Sequence, residues 1–114
     1  MKTTDWTLAD YILSRDLMGY PVPPDGWSPS GKESDNDLCL GRLGDLGWCY
    51  MREFAPNDEL SEFNCQFAAT QDKWKPLGYG RSKFQARVAG MLAAYDCYVD
   101  GEVLDNEASK IATV

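Results

Sequence analysis

Ser82-Lys83-Phe84-Gln85-Ala86-Arg87-Val88-Ala89-Gly90-Met91-Leu92-Ala93-Ala94-Tyr95-Asp96-Cys97-Tyr98-Val99 is the stretch from which the fold is read. Phe84, Val88, Met91, Leu92, Tyr95 and Val99 recur at three- and four-residue intervals, the spacing of one helical face. Ser82 followed three residues later by Gln85 is a capping-box pattern, and Gly101 supplies a stop. The spacing predicts a helix here, with Phe84, Val88, Leu92 and Tyr95 turned toward a sheet. The polar stretch 102–114 reads as a short tail.

Upstream the period changes to two. In Glu62 to Ala69, Phe63, Cys65 and Phe67 alternate with Glu62, Asn64 and Gln66. In Leu46 to Phe54, Trp48, Tyr50, Arg52 and Phe54 share one face, although core packing is the better reading for Trp48. Pro56, Asn57 and Asp58 between these runs mark a turn, so the pair reads as an antiparallel hairpin. Leu38 to Leu43 reads as a looser strand and Trp74 to Leu77 as a short edge strand, since Pro76 cannot donate to a central ladder. Residues 20–37 carry Pro21, Pro23, Pro24, Gly26, Pro29 and Gly31 and read as a long surface loop, with Tyr20, Val22 and Trp27 available to fasten it. Before it, Leu8, Tyr11, Ile12, Leu13 and Leu17 form an apolar stripe over Thr7 to Met18. Thr7 and Asp10 resemble a cap pair, and Gly19 is the stop. A helix must bury its stripe and a half-polar sheet offers one face. The expected fold is therefore α+β: one domain over 1–114, with an antiparallel sheet of three to four strands packed by an N-terminal and a C-terminal helix.

Composition narrows the function. The chain has 114 residues, four tryptophans, six tyrosines and four phenylalanines, enough for a core, and a net charge of −7. Such a surface repels nucleic acid and anionic membranes and suits a basic protein partner, or simply solubility. No apolar run approaches a membrane span and the N-terminus lacks an export-signal core, so a cytoplasmic location is expected. The four cysteines, Cys39, Cys49, Cys65 and Cys97, contain no C-x-x-C pair and are expected as buried free thiols without metal.

The chain contains no histidine. The usual near-neutral proton shuttle is missing, and Ser-His-Asp or Cys-His catalysis is excluded. Asp35 and Asp37, or Asp58, Glu59 and Glu62, read as solvated loop acids. Asp35-Asn36-Asp37 lacks the glycine and glutamate of a calcium loop at their required positions. No cofactor is expected. Two binding surfaces remain. One is acidic and aromatic, built from Trp27, Asp35, Asp37, Asp58, Glu59 and Glu62, with Glu53 and the aromatics Trp48 and Tyr50 alongside, and it faces a protein partner. The other is basic: Lys73, Lys75, Arg81, Lys83 and Arg87 surround Gly78-Tyr79-Gly80-Arg81-Ser82, a glycine turn opening the last helix. There Lys75, Gly78, Tyr79, Gly80, Arg81, Ser82 and Lys83 offer a site for a phosphorylated, including cyclic, nucleotide at a helix N-terminus. A solvated turn that balances the acidic remainder is the alternative reading. A homo-oligomer stays open.

The early helix ending Leu17-Met18-Gly19-Tyr20, the strands around Gly47-Trp48-Cys49-Tyr50 and Phe63-Asn64-Cys65-Gln66-Phe67, and the late alanine-rich helix Ala86 to Ala94 together resemble small phage-encoded accessory proteins of α-β-α sandwich-like arrangement. The resemblance spans roughly residues 7 to 99. It implies a viral accessory role, and some phage proteins of this size block bacterial defence systems. It supplies no functional residue.

Overall fold

A computed structural model describes residues 5–99 of the chain. The architecture is α+β, with element order α1 (Trp6–Ile12), a π-helical turn (Leu13–Leu17), α2 (Glu33–Asp45), β1 (Tyr50–Phe54), β2 (Phe63–Ala68), β3 (Gly78–Gly80) and α3 (Lys83–Val99). The strands form one antiparallel sheet in the order β1-β2-β3. Helix α3 lies on one face of the sheet, and α1 and α2 pack on α3. The expected tail at 102–114 lies outside the described residues, as does the side chain of Cys97.

The capping pattern forms with one change, the return bond reaching one residue further back. Ser82 Oγ accepts from the Gln85 N–H at 3.2 Å, and Gln85 Oε1 reaches back to accept from the Arg81 N–H at 2.9 Å. The face that meets the sheet is not the expected one. Bulky Phe84, Val88, Leu92 and Tyr95 occupy roughly the opposite side of the helix, at 100° per residue, from the small residues that touch the strands. A Cβ placed on Gly78 would sit 2.1 Å from the Gly90 nitrogen and 2.6 Å from both the Ala86 oxygen and the Ala89 carbonyl carbon. A Cβ on Gly90 would meet the Cys65 oxygen at 3.0 Å. Helix and strand therefore approach backbone to backbone through a seam of Gly78, Gly80, Ala86, Ala89 and Gly90. The bulky stripe is left to the helices on the other side.

Residues 38–43 are not a strand. Asn36, Cys39 and Leu43 are buried and Leu40 is partly buried, an i, i+3, i+4, i+7 pattern that makes Glu33–Asp45 a helix. Gly41 and Gly44 obscure the pattern in sequence, but both are exposed, and a methyl group on either would meet nothing within 4 Å. The helix closes in a Schellman arrangement: Gly47, at φ +104°, donates to the Gly44 carbonyl, and the Trp48 N–H donates to the Leu43 carbonyl. Buried Trp48 thus ends α2 and contributes to the core rather than continuing the face of β1.

The proline-rich segment accordingly ends at Lys32, five residues earlier than expected. It is tied down by groups that the sequence pattern assigns elsewhere. Asp10 accepts from the Ser30 N–H at 3.0 Å and the Ser30 hydroxyl at 2.7 Å, so it is not a cap partner of Thr7. The cap of α1 is Asp5, whose Oδ1 accepts from the Leu8 N–H at 2.9 Å. The buried face of the first helical region is Ala9, Leu13 and Leu17, while Leu8 and Tyr11 are exposed. The buried Asn36 amide donates to the Pro29 carbonyl at 2.9 Å and to the Phe84 carbonyl at 3.3 Å.

Candidate functional site

Antiparallel register assigns each strand residue to a face. Glu53 opposite Cys65, Met51 opposite Phe67 and Cys65 opposite Gly78 lie on the α3 side. Tyr50, Arg52, Phe54, Asn64, Gln66 and Tyr79 lie on the other. Trp74 joins this second face through a bridge to Ala68. Among the described residues no helix packs there. All five residues of β1 are exposed, Tyr50 by 39% and Phe54 by 42%. Arg52 is held across this face: its Nε donates to Gln66 Oε1 at 2.8 Å, Gln66 Nε2 donates to the Lys75 carbonyl at 2.8 Å, and its guanidinium lies 4.2 Å from the Trp74 ring centroid and 6.0 Å from that of Phe54.

At the Asn64 end of this face is a cleft of about 320 Å³ lined by Glu59, Leu60, Ser61, Glu62, Asn64 and Tyr79. Its wall is shaped by the expected turn. Asn57 Oδ1 accepts from the Glu59 and Leu60 N–H groups at 2.8 and 2.9 Å, which turns the acidic rim over the strand end. Asn64 is 3% exposed and its Oδ1 has no hydrogen-bond partner. The structure therefore brings Glu59 and Glu62 together with Asn64 and Tyr79.

It does not bring the whole acidic set together. Trp27 is partly buried, donates its Nε1–H to the Asp10 carbonyl at 2.7 Å and meets Tyr20 edge-on at 5.6 Å, so it fastens the proline-rich segment. Val22 remains exposed. Asp35 accepts from the Ser28 N–H at 2.8 Å. Asp37 is exposed on α2 and Asp58 is exposed in the turn.

The basic set is also divided. Gly78-Tyr79-Gly80 is a strand rather than a turn, and its two glycines face the helix backbone, where no ligand has room. Tyr79 points the other way and lines the acidic cleft. Ser82 is engaged in capping, and Arg81 and Lys83 are exposed. The Lys75 backbone closes the turn onto β2, its N–H donating to the Phe67 carbonyl at 3.0 Å. Arg87 belongs to the fold: it pairs with Glu53 across from β1 and reaches Asn36 Oδ1 at 3.4 Å. The hydrogen bond to Glu53 raises its pKa above the ordinary guanidinium value.

Cys39 and Cys65 are buried free thiols, each pushed up to about 12 by desolvation, with Asp10 and Asp35 adding to the shift at Cys39 and Glu53 at Cys65. Cys49 is free but exposed, contrary to expectation, because the chain leaves the core between buried Trp48 and the exposed strand β1. Among the described residues no group of three or more cysteine, aspartate or glutamate side chains could hold a metal ion, and no helix is long and apolar enough to cross a membrane.

Sequence reasoning missed Arg52, Asn64 and Gln66 as site residues; Trp74 was read as able to stack on a base beside the basic turn, and it stacks on Arg52 instead. The signal was the polar and aromatic half of each alternation, which reads as solvent-facing when the core is sought first. No family model matches the chain, and neither a curated protein nor a solved structure matches it.

Proposed function

We propose that the chain is a non-enzymatic protein-binding module that recognises a basic protein surface with the helix-free face of its sheet and the acidic cleft at that face's end. One observation carries this reading: exposed Tyr50, Arg52 and Phe54 and half-buried Trp74 form an aromatic and arginine patch whose central arginine is already held by Gln66. Tyrosine, tryptophan and arginine concentrate binding energy at interfaces, and a preorganised side chain loses little freedom on binding. Charge complementarity selects the partner. The chain carries a net charge of −7, and Glu59 and Glu62 line the cleft beside the patch.

The direct test is selection of a random displayed peptide library against the purified chain. Lysine- and arginine-rich sequences should emerge, and their affinity should fall as salt rises. Tyr50→Ala with Phe54→Ala, and separately Glu59→Lys with Glu62→Lys, should weaken binding while the circular dichroism spectrum is unchanged. Failure to enrich any sequence, or undiminished binding in both variants, would refute the reading. The resemblance to phage accessory proteins extends the proposal to inhibition of a bacterial defence component. Bacteria carrying individual defence systems should then plate phage more efficiently when they express the wild-type chain. No gain against any system would remove that extension and leave the binding reading to its own test.

A further inference from the structure

We infer that the free edge of β1 is where an extended, basic segment of the partner adds as a fourth strand, an inference that rests on the protein-binding reading above and specifies its mode. Among the described residues β1 pairs with β2 alone, so one side of its backbone has no ladder partner. Such a row of N–H and C=O groups is a template for another strand, and folded proteins guard it with proline, lysine or other charges, a bulge or a covering element. β1 reads Tyr50-Met51-Arg52-Glu53-Phe54, without proline or lysine, and it pairs residue for residue from Tyr50 opposite Ala68 to Phe54 opposite Asn64. Nor is it covered. Helix α3 lies over β2 and β3, Met51 on the α3 side is 41% exposed, and Tyr50 and Phe54 are exposed on the other face.

The two charges on β1 are drawn back from this edge. Arg52 donates to Gln66 on β2 at 2.8 Å and lies over the ring of Trp74, which bridges to the far side of β2. Glu53 is paired with Arg87 of α3. The opposite edge offers less, since β3 has three residues, two of them glycines pressed against the helix. Charge decides the occupant. A second copy would set a net charge of −7 against another −7, and antiparallel pairing centred on the strand would place Arg52 opposite Arg52. A basic segment avoids the first cost, and the turn that leaves β1 carries Glu59 and Glu62. In strand addition main-chain bonds supply affinity and alternate side chains supply specificity. Apolar residues suit the side of Tyr50, Arg52 and Phe54, and basic residues the side of Met51 and Glu53.

The experiment is hydrogen exchange of the full chain, read by NMR, with and without the probe peptide acetyl-Lys-Val-Lys-Val-Lys-Val-Lys-amide at millimolar concentration. The β1 amides that face away from β2 should slow by about tenfold or more when the peptide binds. N-methylation along the peptide should cost about tenfold in affinity at every second position only. Met51→Lys should weaken binding by about tenfold and Met51→Glu should not, whereas a peptide lying on the helix-free face would feel neither change. Binding without slowing at β1, or an N-methyl scan without alternation, would sink the inference and leave the protein-binding reading standing. Equal protection by the acidic counterpart, with glutamate in place of each lysine, would overturn the basic occupant. Slowing of the same amides in peptide-free protein as its concentration rises, with doubled mass in sedimentation, would give the edge to a second copy and overturn the proposal. No binding of the probe would also overturn it, while the protein-binding reading fails only if the displayed library enriches nothing or both patch and cleft variants bind undiminished.

Discussion

Gly78→Ala isolates the contact on which the helix–sheet packing depends. The added methyl carbon would sit 2.1 Å from the Gly90 nitrogen, and ordinary contact begins at 3.4 Å, so strand and helix must part by about 1.3 Å. The obstructing atoms are backbone on both sides, and no rotamer change relieves them. Overpacking a well-filled core costs about 1–3 kcal/mol, and this site belongs at or above the upper end because the displacement also loosens Gly90 from Cys65 and Phe67. Gly41→Ala is the matched control. Gly41 is exposed within α2, with free space where the methyl would go, so the same substitution should stabilise by roughly 1 kcal/mol through helix propensity. Urea unfolding followed by tryptophan fluorescence reads both. With slopes of about 1–3 kcal/mol per molar urea, the Gly78 variant should lose about 1 M or more in midpoint and the Gly41 variant should gain a few tenths. A Gly78→Ala midpoint within about 0.2 M of wild type would show that helix and strand do not touch as described.

Leu43→Ala should cost about 2–5 kcal/mol, because Leu43 is fully buried in α2; a change under about 1 kcal/mol, measured by the same unfolding, would return residues 38–43 to the surface. Asp10 has its pKa raised from 3.8, chiefly by burial and against the pull of the Ser30 and Ser28 hydrogen bonds, so the native state holds its proton more tightly than the unfolded chain. Its contribution is therefore present in acid and lost as pH rises through the folded value. Asp10→Asn, which can keep both Ser30 bonds, should gain on wild type between pH 3.5 and 7, and parallel stability profiles would contradict this. Alkylation at pH 8 with peptide mapping should label Cys49 before Cys39 and Cys65, whose thiols are buried and held near 12; prior labelling of either buried thiol in folded protein would reverse the assignment.

The elements that could be read from sequence are those whose pattern and punctuation agree. The last helix has both its stripe and its capping box, and the hairpin has clean alternation on each side of Asn57. Helix α2 was hidden because two exposed glycines and a preceding run of prolines outweigh a buried stripe that contains Asn36, a polar residue not counted as core. The seam was hidden for a related reason. Periodicity analysis seeks large apolar residues, and at a close backbone approach the informative residues are the smallest. In the candidate site, Glu59 and Glu62 were legible as acids near a turn. Asn64 was not, since nothing local distinguishes a strand asparagine facing water from one enclosed in a cleft wall. Trp27 was legible as a residue that fastens the proline-rich segment, but its partner, the Asp10 carbonyl, is set by tertiary folding, as is the Ser28 N–H from which Asp35 accepts.

At the seam, the spacing between strand and helix is set by main-chain atoms and has no side-chain rotamers through which to relax. Strands β2 and β3 and helix α3 should consequently open together or not at all. In native-state hydrogen exchange their amides should share one high opening free energy, close to that of global unfolding. Residues 20–32, held by a few polar ties at Asp10, Asp35 and Asn36, should exchange through smaller and independent openings. Gln66 and Tyr79 thus ride on the slowest-opening unit, while Tyr50, Arg52 and Phe54 are joined to it through the pairing of β1 with β2 and the Arg52–Gln66 hydrogen bond.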